Sequence, residues 1–144
     1  MIYNTRKNLF ESYFRYYIIK LKLNKKFKFD LKQDNRIDCL ASVDTAGKNA
    51  YLVKYNVKKL TTEWKIIHTV LHEIRHLSHD FRESNEIKHE EEAELFALQT
   101  IQKDKPEFYK KCVNWTRELM KDTLNQDEVH RQAYYNVLRK LKEF

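Results

Sequence analysis

The stretch "TVLHEIRHLSHD" (69–80) places His72, Glu73 and His76 in the order His-Glu-x-x-His. On a helix at about 100° per residue, His72 and His76 lie about 40° apart and one turn along the axis. Ile66, Ile67, Val70, Leu71, Ile74 and Leu77 occupy the opposite arc, so core packing does not claim the histidines. Glu73 falls between the two faces. Two imidazoles on one side of a helix with a carboxylate beside them suit one zinc ion and a general base. Zinc, Zn(2+), is a Lewis acid without redox chemistry. It leaves a coordination position open and can bring the pKa of water from about 15.7 to near 7. Glu73 would take the proton of the attacking water and deliver it to the leaving amine of a peptide.

Such a site needs a third ligand. His79, Asp80, His89, Glu90, Glu91, Glu92 and Glu94 follow downstream. Arg82 stands ten positions after His72, where a metzincin carries its third histidine. In "HEEEAELFALQTI", Glu90, Ala93, Glu94, Ala97 and Ile101 line one helical face. The small alanines would let this helix lie close to the first. Glu90 would then reach the metal, and Glu94, one turn on, could bond the other nitrogen of a ligand histidine. Glu91 and Glu92 suit a solvated helix start.

The elements that must hold these residues can be read from the pattern. Residues 4–22 are an amphipathic helix with Phe10, Phe14, Tyr17 and Leu21 on its apolar stripe. Strands are expected at 27–31, at 36–44 (Ile37, Cys39, Ala41 and Val43 alternating with polar residues) and at 50–57. "TAGKN", with the only glycine, suggests a hairpin between the last two. The period becomes 3.6 from Thr62, giving the HExxH helix, then a helix from Glu86 to about Lys103. Asp104 and Asn125 read as caps of two more helices, with Trp115, Leu119, Val137 and Leu141 as core positions. The expected class is α+β: an N-terminal helix, a small three-stranded sheet, the HExxH helix, a glutamate helix and two C-terminal helices.

The pattern resembles the gluzincin metallopeptidases, in which HExxH on one helix is followed by a glutamate helix carrying E-x-x-A-D or E-x-x-A-N. It is most similar to the ImmA/IrrE-type domains and the archaeal minigluzincins. The residues that carry the likeness are "AYLVKYNVKKLTTEWKIIHTVLHEIRHL" and "EEEAELFA", within about 35–102. The resemblance implies His72, His76 and Glu90 as zinc ligands, Glu73 as base and Glu94 as the carboxylate behind them. It also implies that the edge of the third strand, at Tyr51, Val53 and Tyr55, binds an extended protein or peptide substrate by β-augmentation. ImmA/IrrE relatives cut helix-turn-helix repressors. The sequence departs from the pattern at Glu94, where Asn or Asp is usual, and at Arg75, where Gly is common.

With 144 residues, the chain suits one domain: a catalytic core of about 35–103 and a helical extension, 104–144. The extension could pack as structure or cap the cleft, as in minigluzincin proforms, leaving open whether the chain is active or a zymogen. The composition is 42% hydrophobic and 34% charged, with net charge +7. That basic balance reads first as a solvated Lys-rich surface. Nucleic acid stays open as a partner through the rival reading, a gluzincin-like binding or regulatory module without catalysis. A homodimer is also open. Glu73-x-x-His76 and Glu86-x-x-His89 could be read as a di-iron pair, but strands stand where the bundle helices should be. Two isolated cysteines and the lack of any long apolar run argue for a cytoplasmic protein with no membrane span.

Overall fold

In the computed structural model, which describes residues 2–78, 85–122, 124 and 126–143, the elements form an α+β chain. They run α1 (Tyr3–Lys20), β1 (Lys28–Gln33), β2 (Ala41–Gly47), β3 (Ala50–Tyr55), α2 (Glu63–Leu77), α3 (Glu86–Asp104), α4 (Pro106–Lys121) and α5 (Glu128–Lys140). They fall into two compact units, Met1–Ser78 and His79–Phe144.

In the first unit, the aromatic stripe of α1 forms the core. Phe10, Phe14, Tyr17 and Ile18 are buried, and the Phe10 ring stacks on Tyr55 with centroids 4.2 Å apart. Phe14 meets Phe29 of β1 at 5.1 Å. Leu21, expected on the stripe, is exposed because α1 ends at Lys20 and Leu23 turns inward instead. Polar links tie the helix down. The Tyr13 hydroxyl donates to Glu63 Oε1 at 2.6 Å, Arg6 Nη1 donates to the Val57 carbonyl at 2.8 Å, and the Tyr55 hydroxyl donates to Glu11.

The sheet order is β1-β3-β2, with β1 parallel and β2 antiparallel to β3. Phe29, Leu31 and Gln33 stand opposite Tyr51, Val53 and Tyr55, and these make the inward face. Lys28, Asp30 and Lys32 alternate outward. This is the period of two expected of a one-sided sheet. β2 begins at Ala41, not near Arg36. Residues 36–40 bend instead of pairing, because the Asn56 side chain donates to the Asn35 and Ile37 carbonyls (3.4 and 3.0 Å) while the Asn56 amide donates to Leu40 O at 2.9 Å. The β2–β3 hairpin turns at Lys48 and Asn49, with Asn49 at φ 53° and Gly47 at φ 134° beside a register shift. Gly47 thus closes a strand, in a conformation that suits a residue without Cβ.

α2 starts at Thr62, whose hydroxyl accepts from the Lys65 amide. All six residues of its expected apolar arc are buried. His68 and Thr69 are buried with them.

In the second unit, α3, α4 and α5 each pack on the other two. Asn85 caps α3 through the Lys88 amide. Asp104 is the last residue of α3 and not a cap, because Pro106, with its fixed φ and missing N–H, supplies the first turn of α4. Asp127 caps α5; the expected cap, Asn125, lies outside the described residues. On α4 the fully buried positions are Cys112, Val113 and Thr116, while Trp115 and Leu119 are half-buried, so the inward face is rotated from the expected stripe. On α5, Ala133, Tyr134, Val137 and Leu138 are buried and Leu141 is partly exposed. The surface that receives α4 and α5 is the glutamate helix itself.

Candidate metal centre

His72, Glu73 and His76 all lie within α2 and are half-buried, the histidines on the flank away from its apolar arc and Glu73 at the edge of that arc. The two Nε2 atoms are 3.1 Å apart, and the ring planes meet at 64°. A contact of that length needs either one ring donating to the other or a cation shared by two lone pairs. Zinc–nitrogen bonds of about 2.0–2.1 Å at tetrahedral angles put two ligand nitrogens about 3.3 Å apart. The histidine pair therefore fits one zinc ion with a shift of a few tenths of an ångström.

Glu73 shares its surroundings with Cys39. The thiol of Cys39 is pushed up from its ordinary range by partial burial and by the Glu73 carboxylate. Cys39 lies in the bend 36–40 that Asn56 pins. In a regular strand, as expected from the sequence, this proximity could not have been read.

Tyr51, Val53 and Tyr55 are on β3, the central strand, and both its edges are hydrogen-bonded from Ala50 to Tyr55. The expected β-augmentation at β3 is therefore excluded, because no backbone donors or acceptors remain on that strand to pair. Val53 and Tyr55 are fully buried as well. The Tyr55 phenol is pushed upward by burial first and by its bond to Glu11 second; it belongs to the core. The strands with an outer edge are β1 and β2, and β2 is the one that lies against α2.

Glu90 and Glu94 are on α3 in the second unit. Glu94 is 2% exposed. Burial, then the Glu94 charge, raises the thiol of Cys112 on α4 to about 12. Glu91 is not a solvated helix-start residue: its carboxylate pairs with Lys140 of α5 at 3.2 Å. Glu90 Oε2 lies 3.4 Å from His130 Nε2 of α5. His130 Nδ1 is in turn 2.8 Å from Asp127 Oδ1. His130 stands out in the sequence only as a histidine on a late helix. The spacing Asp127-x-x-His130 at a helix start was the available signal. Tyr109, another polar group of the extension, donates to Glu143 at 3.3 Å, and burial pushes its phenol up. His79 and Asp80 lie outside the described residues.

Comparison of the chain with protein-family models, with curated proteins and with solved structures finds no match. Function therefore rests on the residues themselves.

Proposed function

We propose that this protein is a zinc-dependent metalloendopeptidase of the gluzincin kind, with His72, His76 and Glu90 as ligands to one zinc ion. The observation that carries the reading is the His72–His76 pair: two Nε2 atoms 3.1 Å apart on the open flank of α2, with Glu73 on the same turn. When bound there, zinc would supply Lewis acidity to water and to the scissile carbonyl. Glu73 takes the proton of the attacking water and returns it to the leaving amine. Glu94, in the reading the resemblance implies, would hold the second nitrogen of a ligand imidazole and fix its tautomer.

We place the substrate, an extended stretch of a protein, on the outer edge of β2. Main-chain pairing along Ala41–Gly47 would lay it beside α2. No helix among the described residues is long and apolar enough to cross a membrane, and no disulfide joins Cys39 to Cys112. We place the protein in a reducing, cytoplasmic setting on its free thiols, Cys39 exposed and Cys112 buried.

Elemental analysis of protein purified without added metal should find one zinc per chain, lost in His72→Ala. Free zinc at about 1,000 times its dissociation constant should raise stability by about 4 kcal/mol, reversed by a chelator. Two irons per chain, or zinc binding with no hydrolysis of any unfolded protein offered, would defeat the reading. The second result would favour a binding module.

A further inference from the structure

The second unit contains two residues, Asp127 and His130, that the proposed chemistry does not use. Asp127 is the N-cap of α5. One of its oxygens, Oδ1, accepts both the backbone N–H of His130 and, at 2.8 Å, lies on the ring Nδ1. The hydrogen bond from the backbone amide of His130, outweighing partial burial, holds the Asp127 carboxyl below its usual range, and the ring contact adds to it. A single oxygen thus fixes both the start of the helix and the orientation of the imidazole. With Nδ1 committed to Asp127, the Nε2 atom faces α3. There it meets Oε2 of Glu90 at 3.4 Å. The next turn of α5 closes the ring from behind: Tyr134 is 6.0 Å away, centroid to centroid, and is itself buried. The neighbouring carboxylate, Glu91, is drawn off to Lys140. Two adjacent glutamates of α3 therefore have separate partners on α5, and the partner of Glu90 is the one whose own orientation is fixed.

We propose that His130, aligned by Asp127, is a positioning residue for Glu90, turning its carboxylate so that Oε1 is presented to zinc. This rests on the reading of Glu90 as a ligand. A free glutamate side chain carries three rotatable bonds, and ordering it on metal binding costs conformational entropy. Contact of Oε2 with a ring held at Nδ1 by Asp127 removes part of that freedom beforehand. The chain Asp127–His130–Glu90 has the form of an outer-shell relay, in which a carboxylate orients an imidazole and the imidazole orients the ligand.

Zinc affinity, measured by competition with a chromophoric chelator on the full chain, tests this without recourse to activity. His130→Ala should weaken zinc binding by about 10–100-fold, the usual effect of losing an outer-shell partner. Metal-free His130→Ala should melt with its parent, and His130→Gln, which can place an amide N–H near the Nε2 position, should recover part of the affinity. Asp127→Asn, which can still cap the helix, should weaken zinc less than His130→Ala. The decisive comparison is the cycle with Glu90→Ala: in that background, His130→Ala should change nothing further. Equal losses from His130→Ala with and without Glu90 would overturn the positioning role, since the effect would then not pass through Glu90. So would an affinity within twofold of the parent. If Glu90→Ala alone leaves zinc affinity unchanged while His72→Ala abolishes it, the ligand set itself is wrong and this inference falls with it.

Discussion

At the scale of single residues, the proposed chemistry turns on what a carboxylate can do that its amide cannot. Glu73→Gln keeps the size of the side chain and leaves His72 and His76 untouched, so it should retain zinc and the helix while losing peptide hydrolysis by about 100-fold or more, the range of general-base contributions. Hydrolysis at the parent rate by the freshly purified variant would remove Glu73 from the mechanism. A second readout needs no activity. Because the Glu73 charge is one of the causes that raise the Cys39 thiol, Glu73→Gln should lower that pKa and speed alkylation of Cys39 near pH 8 in metal-free protein. An unchanged alkylation rate would mean that the two side chains are not neighbours in solution. Cys112 offers a pH prediction with a definite sign. Its thiol is raised from 9.0 to about 12 in the fold, so above pH 9 the unfolded chain loses a proton that the folded chain keeps. Stability should be insensitive to this group below pH 9 and fall by about 1.4 kcal/mol per pH unit as pH rises from 9 toward 12. Urea unfolding at stepped pH should show a shallower alkaline slope for Cys112→Ala than for the parent.

At the scale of elements, Asn56 carries more than its type suggests. It is 2% exposed and ties residues 35–40 to the end of β3 through its side chain and its amide. Asn56→Ala strips the partners from buried carbonyls and should cost about 1–3 kcal/mol. A urea midpoint unchanged from the parent would show the bend to be held by other contacts. The α2 arc and the extent of α3 were legible in the sequence, because the 3.6-residue hydrophobic period is unbroken there; α1 was legible up to its last turn, where the apolar stripe runs past Lys20 to the exposed Leu21. The break at 36–40 was not, since Ile37, Cys39, Ala41 and Val43 alternate as a strand would, and only a distant asparagine overrules them. The central place of β3 was also hidden: strand order depends on a parallel β1–β3 pair formed across an intervening strand, and no local pattern records it. Of the site, the HExxH half was written in spacing alone. The contact of His130 with Glu90 joins residues 40 positions apart and had no local mark beyond the Asp127 cap.

At the scale of the whole molecule, the proposed ligands are divided between two compact units, with the histidines before Ser78 and Glu90 after it. The extension 104–144 is the packing partner of the glutamate helix, so a 1–103 fragment should lose more helix than α4 and α5 contain. Without the α4 and α5 surfaces on which it packs, α3 has only its own 19 residues to hold it helical, and a helix of that length is marginal in water. Circular dichroism on the fragment should show α3 unravelled, with weakened zinc binding. A loss equal to α4 and α5 alone would make the extension dispensable. The strand order also has a consequence for synthesis. β3 is the last strand to be made, yet it is the one to which β1 and β2 both pair. Until Tyr55 has left the ribosome, β1 and β2 are unpaired segments and the Phe10 ring lacks the Tyr55 face on which it stacks. A nascent chain halted before β3 should therefore be protease-sensitive and prone to associate through its open strands, whereas one halted after α2 has everything that the first unit requires.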